Sequence, residues 1–452
     1  MWNSPAELRS KVKASLFALL AGFSLFLPFS KYELWFTMPV GMFLLLLRKE
    51  GYIWLLAGLA FFFLSLECAS IPMVKYAGLN PVVAYSLVFF LAFFLSLLQF
   101  YFPVRLFKNR DVLLILAFCG IEILRSYFPY GGFPWLISGI VLSYVPVAKY
   151  SLYYLTVYGA SLVLWFFVLA LLGRRFKYAL ILVLFPFALG TVQLLKLNRE
   201  YGRGKELYIA VVQTAVPQDV KLNWQSFEKY TPEILAMVKG AVERGAKVIL
   251  LPETALPLFF DLEDPTIQEL YQLSQKSAIV FGIVDLRNSK NKVEPYNSVY
   301  LFYKGKVENY DKVRLMPVGE YVPFPFGFLK DLVPAISGLD YQPGKELKPL
   351  EVDGVKMATP VCFEIAYWDL VKRLSRDAKL IAVLTNDGWF DDSQCASQHF
   401  RWAVVRALEN GLPVLWVNNS GYSAYIDHMG NVVKQLPYSK RSILFVHVRI
   451  KD

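Results

Sequence analysis

The sequence predicts a multi-domain membrane protein: a polytopic α-helical transmembrane domain over residues 1–198, then an α/β domain over residues 199–452. Three observations predict it. Hydrophobic residues make up 56% of the chain and charged residues only 18%, against roughly 25% charged in an ordinary soluble domain. That apolar excess is confined to residues 12–194, which consist mostly of runs of Leu, Phe, Val and Ala. Beyond residue 200, short apolar runs alternate with amphipathic helical stretches, the pattern of helices flanking sheets.

Apolar runs near 12–29, 35–47, 51–70, 82–103, 111–127, 149–172 and 176–194 predict seven spans. Most approach the ~20 residues a helix needs to cross the hydrocarbon core. The second is short, which tilt or local thinning of the bilayer would accommodate. Arg9, Lys11 and Lys13 precede the first run as in a signal peptide, but no small-residue cleavage site follows, so the segment is expected to be retained. Those three, with Arg48, Lys49, Arg105, Lys108, Arg110, Arg174, Arg175 and Lys177, gather on one side; only Lys31, Lys75, Arg125 and Lys149 face the other. The positive-inside bias puts the N-terminus in the cytoplasm, and an odd number of crossings carries the second domain outside, the periplasm of a double-membrane bacterium. The same asymmetry accounts for the net charge of +11 without nucleic acid, since no zinc-finger spacing or long basic block is present. The loop from Ser126 to Ala148 carries Phe-Pro-Tyr-Gly-Gly-Phe-Pro-Trp at 128–135. It is either a plain connector or an aromatic lip at the membrane surface.

In the second half, strands are expected at about 207–213, 247–251, 278–284, 297–303, 355–361, 380–384, 414–418 and 443–449. Helices are expected near 225–243, 266–275, 366–375 and 394–410. Three segments place charge or a thiol at a strand end, where α/β enzymes hold their chemistry. They are Val-Ile-Leu-Leu-Pro-Glu ending at Glu253, the stretch from Tyr310 through Lys312 to Glu320, and Ala-Thr-Pro-Val-Cys-Phe-Glu holding Cys362 and Glu364. A carboxylate, an ammonium and a thiol form a workable set for acyl transfer. Glu253 would take the thiol proton if burial lifts its pKa. Lys312 would lower the thiol pKa and, with the Phe363 amide, stabilise an oxyanion. Read from the residues alone, alternatives stay open: Cys362 as a core residue, Glu253 as a helix cap, Lys312 as a surface charge. His399, His428 and His447 lack metal-ligand spacing and no Gly-rich phosphate loop follows a strand, so neither a metal nor a cofactor is expected. Of the remaining cysteines, Cys68 and Cys119 read as small apolar residues. Cys395 and Cys362 are both expected as thiols, because a bridge between them would silence the nucleophile.

These motifs carry a family resemblance. The second half resembles the nitrilase superfamily of carbon–nitrogen hydrolases, whose αββα sandwich holds a Glu-Lys-Cys set in that order. With the membrane half, the chain is similar to the apolipoprotein N-acyltransferases. The resemblance rests on Leu-Pro-Glu253, Tyr-Asp-Lys312, Pro-Val-Gly-Glu320-Tyr-Val-Pro and Cys362-Phe-Glu364. Thr385-Asn-Asp-Gly-Trp-Phe390, Gln398-His399, Arg406-Ala-Leu-Glu409 and Val417-Asn-Asn-Ser-Gly421 follow in order. Gly-Gly-Phe-Pro-Trp135, Val157-Tyr-Gly159 and Val212-Gln213 through Trp224 extend it across most of the chain. It implies catalytic Glu253, Lys312 and Cys362, support from Glu320, Phe363 and Glu364, and substrate contact at Trp224 and Trp389. Glu364 is expected to orient Lys312 or a loop. It further implies a ping-pong reaction by a monomer in the inner membrane. A phospholipid, commonly phosphatidylethanolamine, gives its sn-1 acyl chain to Cys362, and the α-amine of a diacylglyceryl-cysteine apolipoprotein then accepts it. Rivals are a membrane-anchored amidase of the same superfamily and a non-catalytic scaffold or transporter. Against a transporter, only Glu67 and Glu122 lie within the spans and no repeat is evident. The chain departs from the family's pattern in three places. Phe363 stands where tyrosine is frequent, Gly388 and Ser420 replace other small residues, and the further span that members carry does not follow Ser442–Ile450, so the C-terminus is expected outside.

Overall fold

The computed structural model describes residues 5–289, 292–325, 327 and 340–452. The chain divides into two compact units, one formed by Met1–Leu194 with Ser393–Gln398, the other by Leu195–Asp392 with His399–Asp452.

The first unit is helical because its sequence offers apolar residues without strand alternation, and in lipid every backbone N–H must find a partner within its own segment. Among the described residues, five helices are long and apolar enough to cross a membrane: Ala6–Phe29, Gly51–Lys75, Pro81–Phe107, Ala148–Leu172 and Phe176–Gly202. The other two of the seven expected spans are the helices Thr37–Leu47 and Asp111–Arg125, of 11 and 15 residues. At 1.5 Å per residue these reach roughly 17 and 23 Å, short of the ~30 Å hydrocarbon core. Helix starts follow local chemistry: Asn80 caps the helix at Pro81, its side chain accepting from the Val82 amide at 2.9 Å. Close approach needs small residues. A Cβ at Gly22 would lie 2.3 Å from the Ala57 carbonyl oxygen, so the first and second long helices meet backbone to backbone there. Trp54 sits in an aromatic cluster with Phe100, Phe118 and Trp165, its ring stacked on Trp165 at 6.1 Å.

One buried polar network fixes the loop after Asp111–Arg125. Glu122 accepts from the Ser138 amide at 2.9 Å and from the Ser138 hydroxyl. Arg125 donates to Gln99 at 2.8 Å and to the carbonyls of Phe133 and Leu136 at 2.9 and 3.1 Å. The expected aromatic lip is therefore split. Phe128 and Tyr130 are exposed, whereas Trp135 turns inward and donates its indole N–H to Gln398 at 2.7 Å. Gln398 in turn donates to the carbonyls of Phe29 and Ser65 at 2.9 and 3.0 Å. Beside it, Cys395 is disulfide-bonded to Cys68. This corrects two expectations: Cys68 is not merely a small apolar residue, and Cys395 is not a thiol. The bridge forms because Ser393–Gln398 folds into the first unit, a long-range event across 327 residues. Cys119 and Cys362 are free.

The second unit holds two six-stranded sheets. The first is built from β1 (Lys205–Gln213), β2 (Val248–Leu250), β3 (Ala278–Ser289), β4 (Lys292–Tyr303), β5 (Lys306–Asp311) and β12 (Ser442–Ile450), in the order β12-β1-β2-β3-β4-β5. The second runs β11-β10-β9-β8-β7-β6, from β6 (Leu350–Val352), β7 (Val355–Ala358), β8 (Leu380–Thr385), β9 (Val414–Asn418), β10 (Ala424–Ile426) and β11 (Val432–Gln435). In each sheet the three central strands, β1-β2-β3 and β7-β8-β9, are parallel and the flanking strands antiparallel. Parallel strands need both faces covered, and β2, β8 and β9 are buried throughout. Ala210, Val212, Ile249 and Ile279 pack against Ile234, Val238 and Ala241 of the helix Thr231–Glu243 and against Ile267 and Leu270 of the helix Pro265–Leu273. β1 also lies alongside β9, so the two sheets form inner layers between helices.

The expected helix at 225–243 is in fact two, Trp224–Glu228 and Thr231–Glu243. Pro232 ends the first and suits the opening turn of the second. Strands β5, β6, β10 and β11 were not expected, being short or, in β11, exposed along their whole length. Alkylation of the denatured protein without reductant is expected to label two of the four cysteines, and all four after reduction, as counted by mass.

Candidate active site

Strand ends build the site. β2 stops at Leu250 and the chain turns through Pro252 and Glu253, with Thr254 at φ +46°. That turn sits on β3, where a Cβ at Gly282 would lie 2.7 Å from the Glu253 Cα, so only glycine admits it. The Gly282 amide and carbonyl hold the turn, bonding Pro252 O at 3.1 Å and Ala255 N at 2.8 Å. Lys312 follows β5 directly, and its amide donates to Asn297 O on β4 at 2.8 Å. Cys362 opens the 3₁₀ turn Cys362–Ala366 just beyond β7. Its φ of +50° is left-handed, which costs a non-glycine residue about 1–3 kcal/mol and marks a position held by its surroundings.

These turns converge. The Lys312 ammonium donates to Glu320 at 2.9 Å and lies 3.7 Å from Glu253. Asn297 bridges the two carboxylates, its amide donating to Glu253 and Glu320 at 2.8 Å each. Glu320 also accepts from the Met316 amide at 2.7 Å. Lys312 is 2% exposed. Burial alone would pull its pKa down, but Glu320, then Glu253 and the Cys362 thiol, outweigh it, so the ammonium is held well above its usual range and stays charged. Cys362 is half-buried. Burial, then the nearby Glu253, push its thiol well above the usual range; Lys312 and the Thr385 side chain pull back and lose. Lys312 thus lowers the thiol pKa as expected, but burial and Glu253 outweigh it. At neutral pH the thiol keeps its proton until a base removes it.

Glu364 lies behind the nucleophile, fully buried. It accepts from the amides of Val313 and Arg314 at 2.7 and 2.9 Å, from the Val361 amide at 2.8 Å, and from the Tyr310 hydroxyl. One carboxylate thus ties the lysine segment to the cysteine turn through their backbones. The Phe363 ring sits edge-on to Tyr367 at 5.6 Å.

The structure brings Glu253, Lys312, Glu320 and Cys362 together, with Glu364 and Phe363 at once behind. Trp224 opens the helix Trp224–Glu228, and Trp389 follows β8. Trp224 is 42% exposed and lies against Phe259 at 5.0 Å, and half-buried Trp389 closes the turn Asp387–Trp389. Sequence reasoning missed Asn297. Its signal was there: Asn297-Ser298 interrupts an apolar strand, and a polar pair buried mid-strand needs partners. Also missed was the buried contact of Asp387 with His399 at 2.7 Å and with Asn418 at 2.6 Å, just beyond β8. Such a set can deprotonate a thiol at one carboxylate while an ammonium holds negative charge on an attacked carbonyl oxygen.

Known proteins are similar in sequence. The family model described as Carbon-nitrogen hydrolase matches residues 208–452, and that described as Apolipoprotein N-acyltransferase N-terminal domain matches residues 21–170. An Aquifex aeolicus (strain VF5) protein named Apolipoprotein N-acyltransferase is 40% identical over 444 residues, covering 97% of this chain and 99% of its own length. A Pasteurella multocida (strain Pm70) protein of the same name is 27% identical, over 95% of this chain and 88% of its own. Among solved structures, Saccharomyces cerevisiae Nit3 of the nitrilase superfamily aligns at 17% identity with a TM-score of 0.42, covering 54% of this chain and 90% of its own. The second unit is thus an α/β domain of the carbon–nitrogen hydrolase class. Taken over its whole length, the chain belongs to the apolipoprotein N-acyltransferase family.

The raised thiol pKa is testable. Iodoacetamide is expected to alkylate Cys362 slowly at pH 7.5, the rate rising about tenfold per pH unit towards the pKa. Glu253→Gln removes a charge that opposes ionisation, so it should speed alkylation at fixed pH; an unchanged rate would mean that Glu253 does not act on the thiol.

Proposed function

We propose that this membrane-embedded acyltransferase moves an acyl chain from a phospholipid to the N-terminal α-amine of a diacylglyceryl-cysteine apolipoprotein, through a thioester on Cys362. The observation that carries this reading is the convergence of Glu253, Lys312 and Cys362 in a chain whose first half is built for the bilayer. In the first half-reaction the Cys362 sulfur attacks the sn-1 ester carbonyl carbon while its proton passes to Glu253. Lys312 and the Phe363 amide hold the oxyanion. The ester C–O bond then breaks, the lysophospholipid oxygen takes the proton from Glu253, and the acyl group remains on sulfur. In the second, the acceptor amine attacks the thioester, Glu253 removes an amine proton, the C–S bond breaks, and the sulfur recovers that proton. Glu320 and Asn297 position Lys312 and Glu253, and Glu364 holds the two turns in register. Trp224 and Trp389 would meet substrate, and phosphatidylethanolamine is the expected donor to a monomeric enzyme.

Both substrates are lipid-anchored, so the site belongs at a leaflet surface. On this reading the N-terminus is cytoplasmic, as the basic residues favour, and an odd number of crossings, five or seven, puts the catalytic unit on the periplasmic side of the inner membrane. The Cys68–Cys395 disulfide supports that orientation, because such bonds persist in oxidising compartments.

Intact-mass analysis of detergent-purified protein with phosphatidylethanolamine is expected to show one acyl adduct on Cys362, lost when a diacylglyceryl peptide is added. Free fatty acid as the main product would instead identify an amidase-type hydrolase. Cys362→Ala is expected to lower transfer by at least about 1,000-fold with unchanged thermal stability; a variant with full activity would point to a non-catalytic domain.

A further inference from the structure

The titratable groups of the second unit include one half-buried lysine that the reaction above does not use. Lys221 ends the short helix Gln218–Lys221. Its ammonium donates to the Glu253 carbonyl at 3.1 Å and to the Thr254 carbonyl at 2.7 Å, with the Phe227 ring centroid 5.5 Å away. Burial pulls its pKa down to about 8, and Glu253 pulls back up. An ammonium spending two protons on adjacent carbonyls is a clamp, and the turn it clamps is the one that needs holding, since Thr254 sits at φ +46°.

The other end of the same helix reaches the opposite sheet. The Asn386 amide, one residue past β8, donates to the Gln218 side chain at 2.7 Å. Asn386 also accepts from Asn419 at 2.9 Å, beyond β9. Residues 218–221 therefore bracket the site, with one end on the Glu253 turn and the other on the strand that carries Thr385 beside the Cys362 thiol.

We propose that Lys221 is a positioning residue for the acyl transfer, fixing the Glu253 turn against the Asn386 side so that the carboxylate meets the thiol in register. The inference rests on Glu253 and Cys362 serving as base and nucleophile. Lys221 touches neither substrate nor the reacting atoms; it acts through the backbone of Glu253 and Thr254. A misplaced base costs rate rather than donor binding.

The test is Cys362 acylation by phosphatidylethanolamine micelles, followed by intact mass in full-length protein. In Lys221→Met, which keeps the stem and removes the donors, the maximal acylation rate is expected to fall at least about tenfold, with the half-saturating donor concentration within about twofold of wild type. Lys221→Arg is expected to recover the rate to within about threefold. A wild-type rate in Lys221→Met, a loss confined to the half-saturating concentration, or an equal loss in Lys221→Arg overturns the proposal. Should Lys221→Met not yield folded protein, Lys221→Gln, polar but one atom shorter, replaces it with the same expected loss and the same overturning results. An unacylated wild-type Cys362 would instead remove the underlying reading.

Discussion

The site depends on one buried ammonium shared between two carboxylates. Lys312 has almost no contact with water, and removing a charge from water costs several kcal/mol per ion. Glu320 at 2.9 Å and Glu253 at 3.7 Å return that cost only because Asn297 and the Met316 amide take up further oxygen lone pairs. The cluster already carries one more negative than positive charge. Burial first, and the nearby Glu253 second, push the Cys362 thiol up rather than down.

Everything around that set serves to hold it. The missing Cβ at Gly282 lets the Glu253 turn lie against β3, and Glu364 gathers amides from two segments that no strand joins. The strain at Cys362 and Thr254 persists because hydrogen bonds on both sides over-determine those turns.

Much of this was legible in the sequence, for particular reasons. Glu253 and Cys362 each put a polar group where an apolar strand stops, and a strand stop in an α/β domain is where side chains converge; Lys312 follows the polar strand β5 and was legible only through its own segment. The central strands announced themselves through continuous apolar runs. Asn297 was harder, because one amide inside a long strand resembles an edge residue until its burial is known. Strand β11 is exposed along its length, so no apolar alternation marked it. The short helix Thr37–Leu47 is as apolar as its longer neighbours, and composition cannot say where a helix ends. The bond between Cys68 and Cys395 was invisible. Both residues suit apolar packing, and their approach depends on a segment late in the chain joining the helical unit.

That late segment sets an order of events during biosynthesis. Ser393–Gln398 supplies the disulfide partner of Cys68, the amide that meets the Phe29 and Ser65 carbonyls, and the acceptor for Trp135. The helical half emerges first from the ribosome yet lacks these groups until some two hundred further residues have been made. Until then it is an unfinished bundle with the Cys68 thiol unpaired, so completion of the first unit waits on synthesis of the second.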